Sequence, residues 1–132
     1  MNILVSYKSG SDLDKKVLEM AKKHAKAFNA KLFLLSSMED TLTSGHISGL
    51  DTIKEKLEKL KIEAEKEGIP CESHLLIRGI TPGEDIVEFA QDNKIDMIFI
   101  GIEKKSKVGK LIFGSNAQYI ILESPCPVLS IK

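Results

Sequence analysis

The sequence predicts a doubly wound α/β domain, in which helices cover both faces of a parallel β-sheet. Two observations lead to this prediction: five short, largely apolar runs occur along the 132 residues, and a segment with amphipathic helical spacing separates each run from the next. Strands that read as continuous apolar runs are typical of parallel sheets buried on both faces. Right-handed crossovers place the intervening helices on those faces. We expect one domain that spans residues 1–132.

The predicted strands alternate with the helices along the chain. They are Ile3–Tyr7, Lys31–Met38, Cys71–Ile77, Ile95–Gly101 and Pro127–Ile131. In doubly wound sheets, ligands bind beyond the carboxyl ends of the strands, where the strand order reverses. The segments that follow the first and the fourth strand lie at that edge, and we therefore expect a binding site there.

Residues that recur at steps of three and four define the buried faces of the first two helices. In the first helix they are Leu13, Val17, Met20, Ala21, His24 and Phe28. In the second helix they are Ile53, Leu57, Leu60 and Ala64. Gly68, followed by Pro70, is the expected end of the second helix. The polar segment from Glu39 to Gly49 is predicted to be a loop that precedes this helix.

Capping signals mark the third and fourth helices. Thr81 is a predicted N-cap, and Glu84 three residues later completes a capping box. Ser115 and Gln118 repeat this spacing and predict the start of the fourth helix. That helix is expected to end near Ser124, because the prolines that follow cannot continue it.

The composition excludes several classes of function. The chain carries 19 basic and 19 acidic residues, so no overall positive field attracts nucleic acid. The longest apolar run, Met97 to Ile102, is far too short to span a membrane. Cys71 and Cys126 belong to no CxxC motif, which favours free thiols in a reducing compartment. We expect a cytoplasmic protein that binds neither nucleic acid nor membrane.

No combination of residues indicates catalysis or a metal site. His24 falls on the apolar face of the first helix, His46 in the polar loop and His74 in the third strand, with no spacing that would let them share a metal ion. Acidic residues of the second helix alternate with lysines, as on a solvated face. We predict no catalytic residue, no metal and no enzymatic activity.

The segment after the fourth strand, GIEKKSKVGKLIFGSNAQ (residues 101–118), is the main candidate for a ligand site. Gly114, Ser115 and Asn116 lie at the predicted start of the fourth helix, where unpaired N–H groups and the helix dipole favour an anion. The preceding loop is rich in lysine: Lys104, Lys105, Lys107 and Lys110. This pattern is compatible with a phosphate-binding loop, and also with a basic connector that is merely exposed to solvent.

Common nucleotide-binding motifs are absent. A Walker A loop requires a glycine five residues before its Gly-Lys pair, and the pair at 109–110 is preceded there by Lys104. The segment SYKSGS after the first strand has a single glycine, so it lacks GxGxxG. The stretch 9–11 (Ser-Gly-Ser) faintly suggests a flavodoxin phosphate loop. No tryptophan and two tyrosines offer little aromatic surface to a flavin, which makes flavin-dependent electron transfer a poor third alternative.

Four segments together resemble the universal stress protein family: MNILVSY, DKKVLEMAKKHAKAFNAKLFLLSS, RGITPGEDIVEFAQDNKIDMIFIGI and GKLIFGSNAQYIILESPCPVLSIK. The resemblance covers the whole chain. It implies a Rossmann-like, five-stranded parallel sheet of order 3-2-1-4-5. It also implies a homodimer paired through the last strand, where Val128, Leu129 and Ile131 are apolar.

One branch of that family binds ATP through G-x2-G-x9-G-[ST] after the fourth strand. Here the first glycine is Gly101 and the closing pair is Gly114 and Ser115, but Lys104 replaces the middle glycine. Lys8 lies at or next to the place where this branch has an aspartate that reads adenine. Both departures imply weaker recognition of adenine, with the phosphate end of the site retained.

These observations define the expected site and its alternatives. The phosphate is expected at Gly101, Lys104, Lys105, Gly114, Ser115 and Asn116. The base and ribose are expected beside Tyr7, Lys8 and Ser36. The resemblance implies a non-enzymatic, dimeric stress-response protein that binds ATP, another adenine nucleotide or a different phosphate ligand. The alternative is a nucleotide-free protein that acts through contacts with protein partners, which the sequence does not identify.

Overall fold

The computed structural model describes residues 1–39, 47–103 and 114–132. Their elements are, in chain order, β1 (Asn2–Ser6), α1 (Asp12–Phe28), β2 (Lys31–Met38), α2 (Ile47–Lys66), β3 (Cys71–Ile77), α3 (Pro82–Asp92), β4 (Met97–Gly101), α4 (Ser115–Glu123) and β5 (Val128–Ile131). The strands form one sheet of order β3-β2-β1-β4-β5, and every pair of neighbours is parallel. The predicted doubly wound fold is confirmed.

The strand order reverses between β1 and β4. Residue Ile3 of β1 is paired with Leu32 of β2 on one side and with Met97 of β4 on the other. The chain first builds the sheet outward from β1 through β2 to β3, and it then returns to add β4 and β5 on the opposite side. The carboxyl ends of β1 and β4 therefore flank the crevice in which ligands bind in such sheets.

The core has two halves, one on each face of the sheet. Alternate residues of β1 point to opposite faces, so Ile3 and Val5 pack with α1 and α2 while Leu4 packs with α3 and α4. In β4, Phe99 is fully buried on the first of these faces and Ile98 on the second. Burial on both faces explains why the strands read as continuous apolar runs.

Helix α1 begins with a side-chain cap that sequence reasoning did not single out. Ser11 is the N-cap, and its Oγ accepts a hydrogen bond from the Asp14 backbone N–H at 3.2 Å. The helix ends at Asn29, whose φ of 53° places it in the left-handed region.

The predicted apolar face of α1 is correct except at its end, because Phe28 is 55% exposed. Its ring packs near His24, which in turn makes an edge contact with the buried Phe99.

Helix α2 starts earlier than predicted. The polar loop was expected to extend to Gly49, whereas the helix already includes Ile47; residues 40–46 of that loop lie outside the described residues. A glycine within a helix costs about 1 kcal/mol relative to alanine. The apolar packing of this 20-residue helix on the sheet, through Leu57 and Ala64, offsets the unfavourable helix propensity of Gly49.

Two ion pairs join the ends of α1 and α2. Lys22 Nζ lies 2.9 Å from Glu67 Oε2, and Lys26 Nζ lies 3.3 Å from Glu67 Oε1. The Lys22 side chain is 9% exposed although it lies on a helix surface, and it also approaches Glu19. Hydrogen bonds from Lys22 and Lys26 hold the pKa of Glu67 below its usual value.

The caps of α3 and α4 differ from each other. Thr81 caps α3 as predicted, since its Oγ1 accepts from the Glu84 backbone N–H at 3.3 Å and donates to Glu84 Oε1 at 2.9 Å. The predicted cap of α4 is wrong: Gly114 is the N-cap, no side chain caps it, and Ser115 is the first helical residue. Ser115 therefore lies one position too far along the helix to accept the capping hydrogen bond.

Candidate functional site

A cavity of about 260 Å³ lies at the carboxyl edge of the sheet. Its floor is polar and comes from the ends of β1 and β2, with Ser6, Tyr7 and Lys8 from the first and Ser36 and Ser37 from the second. This is the edge at which the sequence predicted a site. Parallel strands bring these residues together because all of their carboxyl ends lie on the same side of the sheet.

The opposite wall of the cavity is apolar. It is formed by Ile86 of α3, Ile100 of β4, and Ala117 and Ile120 of α4, with Pro82 at the start of α3. Helices α3 and α4 both begin at this wall. The cavity thus combines an apolar surface with a few hydroxyl groups and the N-terminal ends of two helices, which is the usual character of a small-molecule site.

The structure brings together some of the predicted site residues but not all of them. Among the described residues, the predicted ones that line the cavity are Tyr7, Lys8, Ser36, Gly101 and Asn116. Gly114 and Ser115 lie at the start of α4, one turn from the lining residue Ala117, and are exposed. Lys104 and Lys105, with Lys107 and Lys110, lie outside the described residues.

Gly101 is constrained by packing against α1, whether or not it also contacts a ligand as predicted. A Cβ at this position would lie 2.8 Å from Leu13 Cγ and 3.2 Å from Val17 Cγ2, both on α1. Such distances are shorter than van der Waals contact, so the glycine allows α1 to pack closely on β4. Its missing side chain points to the α1 face, and only its backbone borders the cavity on the α3 and α4 side.

Asn116 joins the starts of α3 and α4. Its Oδ1 accepts a hydrogen bond from the backbone N–H of Gly83 at 2.9 Å. A Cβ on Gly83 would lie 3.1 Å from the Asn116 carbonyl oxygen, so the two helices meet closely here. The Asn116 side chain is therefore engaged within the protein, where it joins the two helix starts at the cavity wall, and the predicted contact of its backbone N–H group with a phosphate stays a prediction.

Sequence reasoning missed a buried polar cluster behind the cavity floor. Asp85 of α3 is fully buried, and its Oδ2 accepts a hydrogen bond of 2.8 Å from Ser37 Oγ. Arg78 pairs with Asp85 Oδ1 and donates from Nη2 to the Asp85 carbonyl oxygen at 3.2 Å. The signal in the sequence was an acidic residue on the buried face of a helix, which requires a partner.

Ser6 was also missed. It is 7% exposed and lies in the cavity floor, and its hydroxyl group makes no hydrogen bond to other described residues. A hydroxyl group that lines a cavity and has no partner in the described part of the chain is available to water or to a ligand. Ser6 is such a group, whereas the Ser37 hydroxyl group already donates to Asp85.

The loop after β1 does not resemble a flavodoxin phosphate loop in its bonding. The backbone N–H groups of Ser9 and Gly10 both donate to Asp14 Oδ2, at 2.8 and 2.9 Å, and the Ser11 hydroxyl group caps α1. These are the donors that a flavin phosphate would need. Gly10 has a φ of +81°, which favours glycine in this turn.

The described part of the chain contains few reactive groups near the cavity. Tyr7 and Lys8 are its ionisable lining residues, and burial, with Asp14 and Glu63 nearby, raises the pKa of Tyr7. Within the described ranges, no cluster of three or more His, Cys, Asp or Glu could hold a metal ion. No helix that the structure describes is long and apolar enough to cross a membrane.

Both cysteines are free thiols. Burial raises the pKa of Cys71 to about 11, which keeps its side chain protonated and unreactive at neutral pH. Burial likewise raises the pKa of Cys126, while the Ser124 hydroxyl group acts in the opposite direction.

A five-stranded 3-2-1-4-5 sheet with a cavity between its carboxyl edge and the starts of α3 and α4 defines a doubly wound α/β protein. The sequence profile of the universal stress protein family matches residues 1–132. The chain therefore belongs to the universal stress protein family, as its sequence segments suggested.

Individual relatives agree with this assignment. A universal stress protein of Thermus aquaticus is 35% identical over 137 aligned residues, which cover 98% of this chain and 97% of the relative. A universal stress protein structure from Archaeoglobus fulgidus is 36% identical and superposes with a TM-score of 0.86, covering 100% of this chain and 98% of that one. A second structure from that organism, in complex with dAMP, is 32% identical with a TM-score of 0.82 and the same coverage.

Proposed function

We propose that this chain binds an adenine nucleotide in the cavity at the carboxyl edge of its sheet and acts as a binding protein without catalysing a reaction. The observation that carries the proposal is the cavity itself, which joins an apolar wall, free hydroxyl groups and two helix starts at the reversal of the strand order. The relative solved with dAMP supports the choice of an adenine nucleotide.

The base would lie against the apolar wall. Ile86, Ile100 and Ile120 provide a surface that suits the flat face of a purine, and the cavity is just below the range of about 300–1,000 Å³ that is typical for drug-sized ligands. A base with part of its sugar fits that volume. Burial of the base contributes to affinity whichever residue is at position 8. We therefore expect adenine to add more to the binding affinity than the presence of Lys8, in place of an aspartate, would suggest.

The phosphate end would lie at the start of α4. Gly114 has φ −62° and ψ 151°, a conformation open to any residue, and no described atom lies within 4 Å of the position of a Cβ. Serine at an N-cap stabilises a helix at least as well as glycine. Neither backbone strain nor packing among the described residues therefore explains why position 114 is a glycine. The close approach of a phosphate to the helix start would explain it.

The cavity favours binding over catalysis. The Tyr7 pKa is raised by burial and by nearby carboxylates, so its hydroxyl group remains protonated at neutral pH and cannot act as a base. Lys8 is exposed at the mouth. No carboxylate or histidine occurs among the described lining residues, so a general base for hydrolysis is not provided by them.

Calorimetry with ATP, AMP and tripolyphosphate tests the proposal. We expect ATP to bind at least about tenfold more tightly than tripolyphosphate, a difference of roughly 1.4 kcal/mol that the buried base supplies. Gly114→Val should weaken both, because its side chain occupies the phosphate approach, while Gly114→Ser should weaken them less. No binding of any adenine nucleotide at millimolar concentration would overturn the proposal and favour a nucleotide-free protein that acts through protein contacts.

We also propose a homodimer paired through β5, in a cytoplasmic setting. β5 is at the edge of the sheet, and its Val128, Leu129 and Ile131 are half-buried in one chain. Leu122, at the end of α4, is 78% exposed. An apolar edge strand beside an exposed leucine is a surface that pairing with a second copy would cover. The two free thiols support a reducing compartment.

A further inference from the structure

A second cavity, of about 180 Å³, lies on the opposite face of the sheet from the α3 and α4 wall, between the loop after β1 and helix α2. Tyr7 and Lys8 border both cavities. The remaining part of the second cavity is formed by Ser9 and by α2, which contributes Lys56 and Thr52. We call it the α2 cavity.

Lys56, an exposed residue of α2, lies over the loop after β1. A Cβ on Gly10 would collide with Lys56 Nζ and would lie 3.1 Å from both Lys56 Cε and the Tyr7 hydroxyl oxygen. The ammonium group and the tyrosine hydroxyl group therefore lie close to one another beside Gly10. Glycine at this position, with its φ of +81°, leaves room for the lysine side chain.

The two lysines of the α2 cavity have no acidic partner among the described residues. Other lysines of the helical pair α1 and α2 do: Lys22 and Lys26 pair with Glu67, and Lys61 lies near two glutamates of its own helix. The positions three and four residues from Lys56 are Thr52, Ile53, Lys59 and Leu60, so its own helix offers no carboxylate. Lys8 and Lys56 thus present two positive charges without an ion pair among the described residues to one small cavity, with Asp14 and Glu63 as the acidic groups that act on its Tyr7.

The remaining polar groups of the α2 cavity are suited to an anion. No carboxylate lines it among the described residues, and Asp14, in the first turn of α1, accepts hydrogen bonds from the Ser9 and Gly10 N–H groups. The Tyr7 hydroxyl group remains protonated and can donate a hydrogen bond. A volume of about 180 Å³ has room for several water molecules and admits a tetrahedral oxyanion.

We propose that the α2 cavity is a binding site for a phosphate group, held by the ammonium groups of Lys8 and Lys56 and the hydroxyl group of Tyr7. Hydrogen bonds from charged donors to phosphate are stronger than those between neutral groups. The phosphate is either free inorganic phosphate or the phosphate of a nucleotide whose base occupies the larger cavity, since both cavities share Tyr7 and Lys8. In the second case the nucleotide phosphate would lie in the α2 cavity instead of at the start of α4.

Titration of the whole chain with inorganic phosphate, without nucleotide, tests the site. We expect a dissociation constant of about 1 mM or below, and Lys56→Gln should raise it about tenfold. Lys59→Gln removes an equal charge from the same helix outside the α2 cavity and should leave the constant within about twofold. In ¹⁵N spectra, phosphate should shift the amide signals of Ser9 and Gly10. Absence of binding, or an equal loss in Lys59→Gln, overturns the proposal.

Competition identifies the source of the phosphate. If the site holds the phosphate of a nucleotide, AMP should displace inorganic phosphate while adenosine should not. If it holds free phosphate, the effect of Lys56→Gln should persist with AMP bound. Because inorganic phosphate is measured alone, failure of nucleotide binding in the larger cavity would leave this test intact. If Lys56→Gln changes the dissociation constant of neither inorganic phosphate nor AMP, Lys56 is not part of the site and the proposal is overturned.

Discussion

Gly101 and Gly114 illustrate how two residues of one sequence motif can serve different physical purposes. Both were assigned to the phosphate site. The structure shows that a side chain at Gly101 would collide with Leu13 and Val17, whereas a side chain at Gly114 would meet no described atom. The first glycine is required by packing between α1 and β4. The second is free of that constraint, and its role in ligand binding stays a proposal.

This contrast predicts opposite effects on stability. Gly101→Ala should lower the free energy of unfolding by about 1–3 kcal/mol, because overpacking in a well-filled core costs that much. Gly114→Ser should leave it unchanged or raise it slightly, since serine is a good N-cap. Urea unfolding of both variants checks the prediction. Equal stability of the two variants would mean that Leu13 moves aside and that Gly101 is not needed for packing.

At the scale of elements, the ends of α1 and α2 are joined by charge as well as by apolar contact. Lys22 is almost buried between the helices and pairs with Glu67, which Lys26 also approaches. Sequence reasoning took the charges of α2 as a solvated face, which is correct for most of them. Glu67 is the exception, because the folded chain places this residue, directly after the end of α2, beside α1, where it contacts Lys26, 41 positions away.

The Glu67 pair predicts a dependence of stability on pH. The pKa of Glu67 is lower in the folded chain than its ordinary value of 4.5, because Lys22 and Lys26 donate hydrogen bonds to it. The interaction therefore stabilises the fold above the unfolded pKa and is lost as the pH falls through the lower folded pKa. Glu67→Gln should cost up to about 1 kcal/mol at pH 7, as for other half-exposed pairs.

Urea unfolding at several pH values measures this effect. The difference between wild type and Glu67→Gln should narrow as the pH falls below about 4.5. Glu55→Gln, an exposed glutamate of α2 without an ion pair among the described residues, is the matched control and should show little difference at any pH. A constant difference between wild type and Glu67→Gln would show that the charge of Glu67 is not what stabilises the contact.

For the whole molecule, β5 is one of the two edge strands of the sheet. The backbone N–H groups of Ile98 and Ile102 donate to the carbonyl oxygens of Pro127 and Ile131. Successive residues of a strand direct their backbone groups to opposite sides. Leu129 therefore bonds toward β4, and Ser130, which is exposed, directs its N–H group to the open edge.

Two proline substitutions separate assembly from folding. If two chains pair through β5, Ser130→Pro removes a hydrogen bond of the outer edge and should shift the dimer toward monomer while the chain stays folded. Leu129→Pro removes a bond of the β4–β5 ladder and should instead lower the stability of each chain. Analytical ultracentrifugation and circular dichroism distinguish these results. A monomeric wild type at micromolar concentration, or a fully dimeric Ser130→Pro variant, would contradict pairing through this strand.

The sequence by itself determined the elements, because local physics specifies them. Continuous apolar runs predicted the buried parallel strands, steps of three and four predicted the helices, and Thr81 with Glu84 predicted the start of α3. The predicted edge of the sheet also contained the cavity, since parallel strands place all of their carboxyl ends together. Where local signals were ambiguous, prediction failed: Ser115 resembled a cap, and Gly49 resembled a loop residue.

Only the tertiary structure decided which side chains meet. Asn116 bonds to Gly83, 33 residues away, and Ser37 to Asp85, 48 residues away, and no spacing in the sequence encodes either contact. The place of Lys56 beside Gly10 likewise depends on how α2 packs against the loop after β1. Such contacts follow from the packing of whole elements, so the larger cavity and the α2 cavity become visible only when the chain is folded.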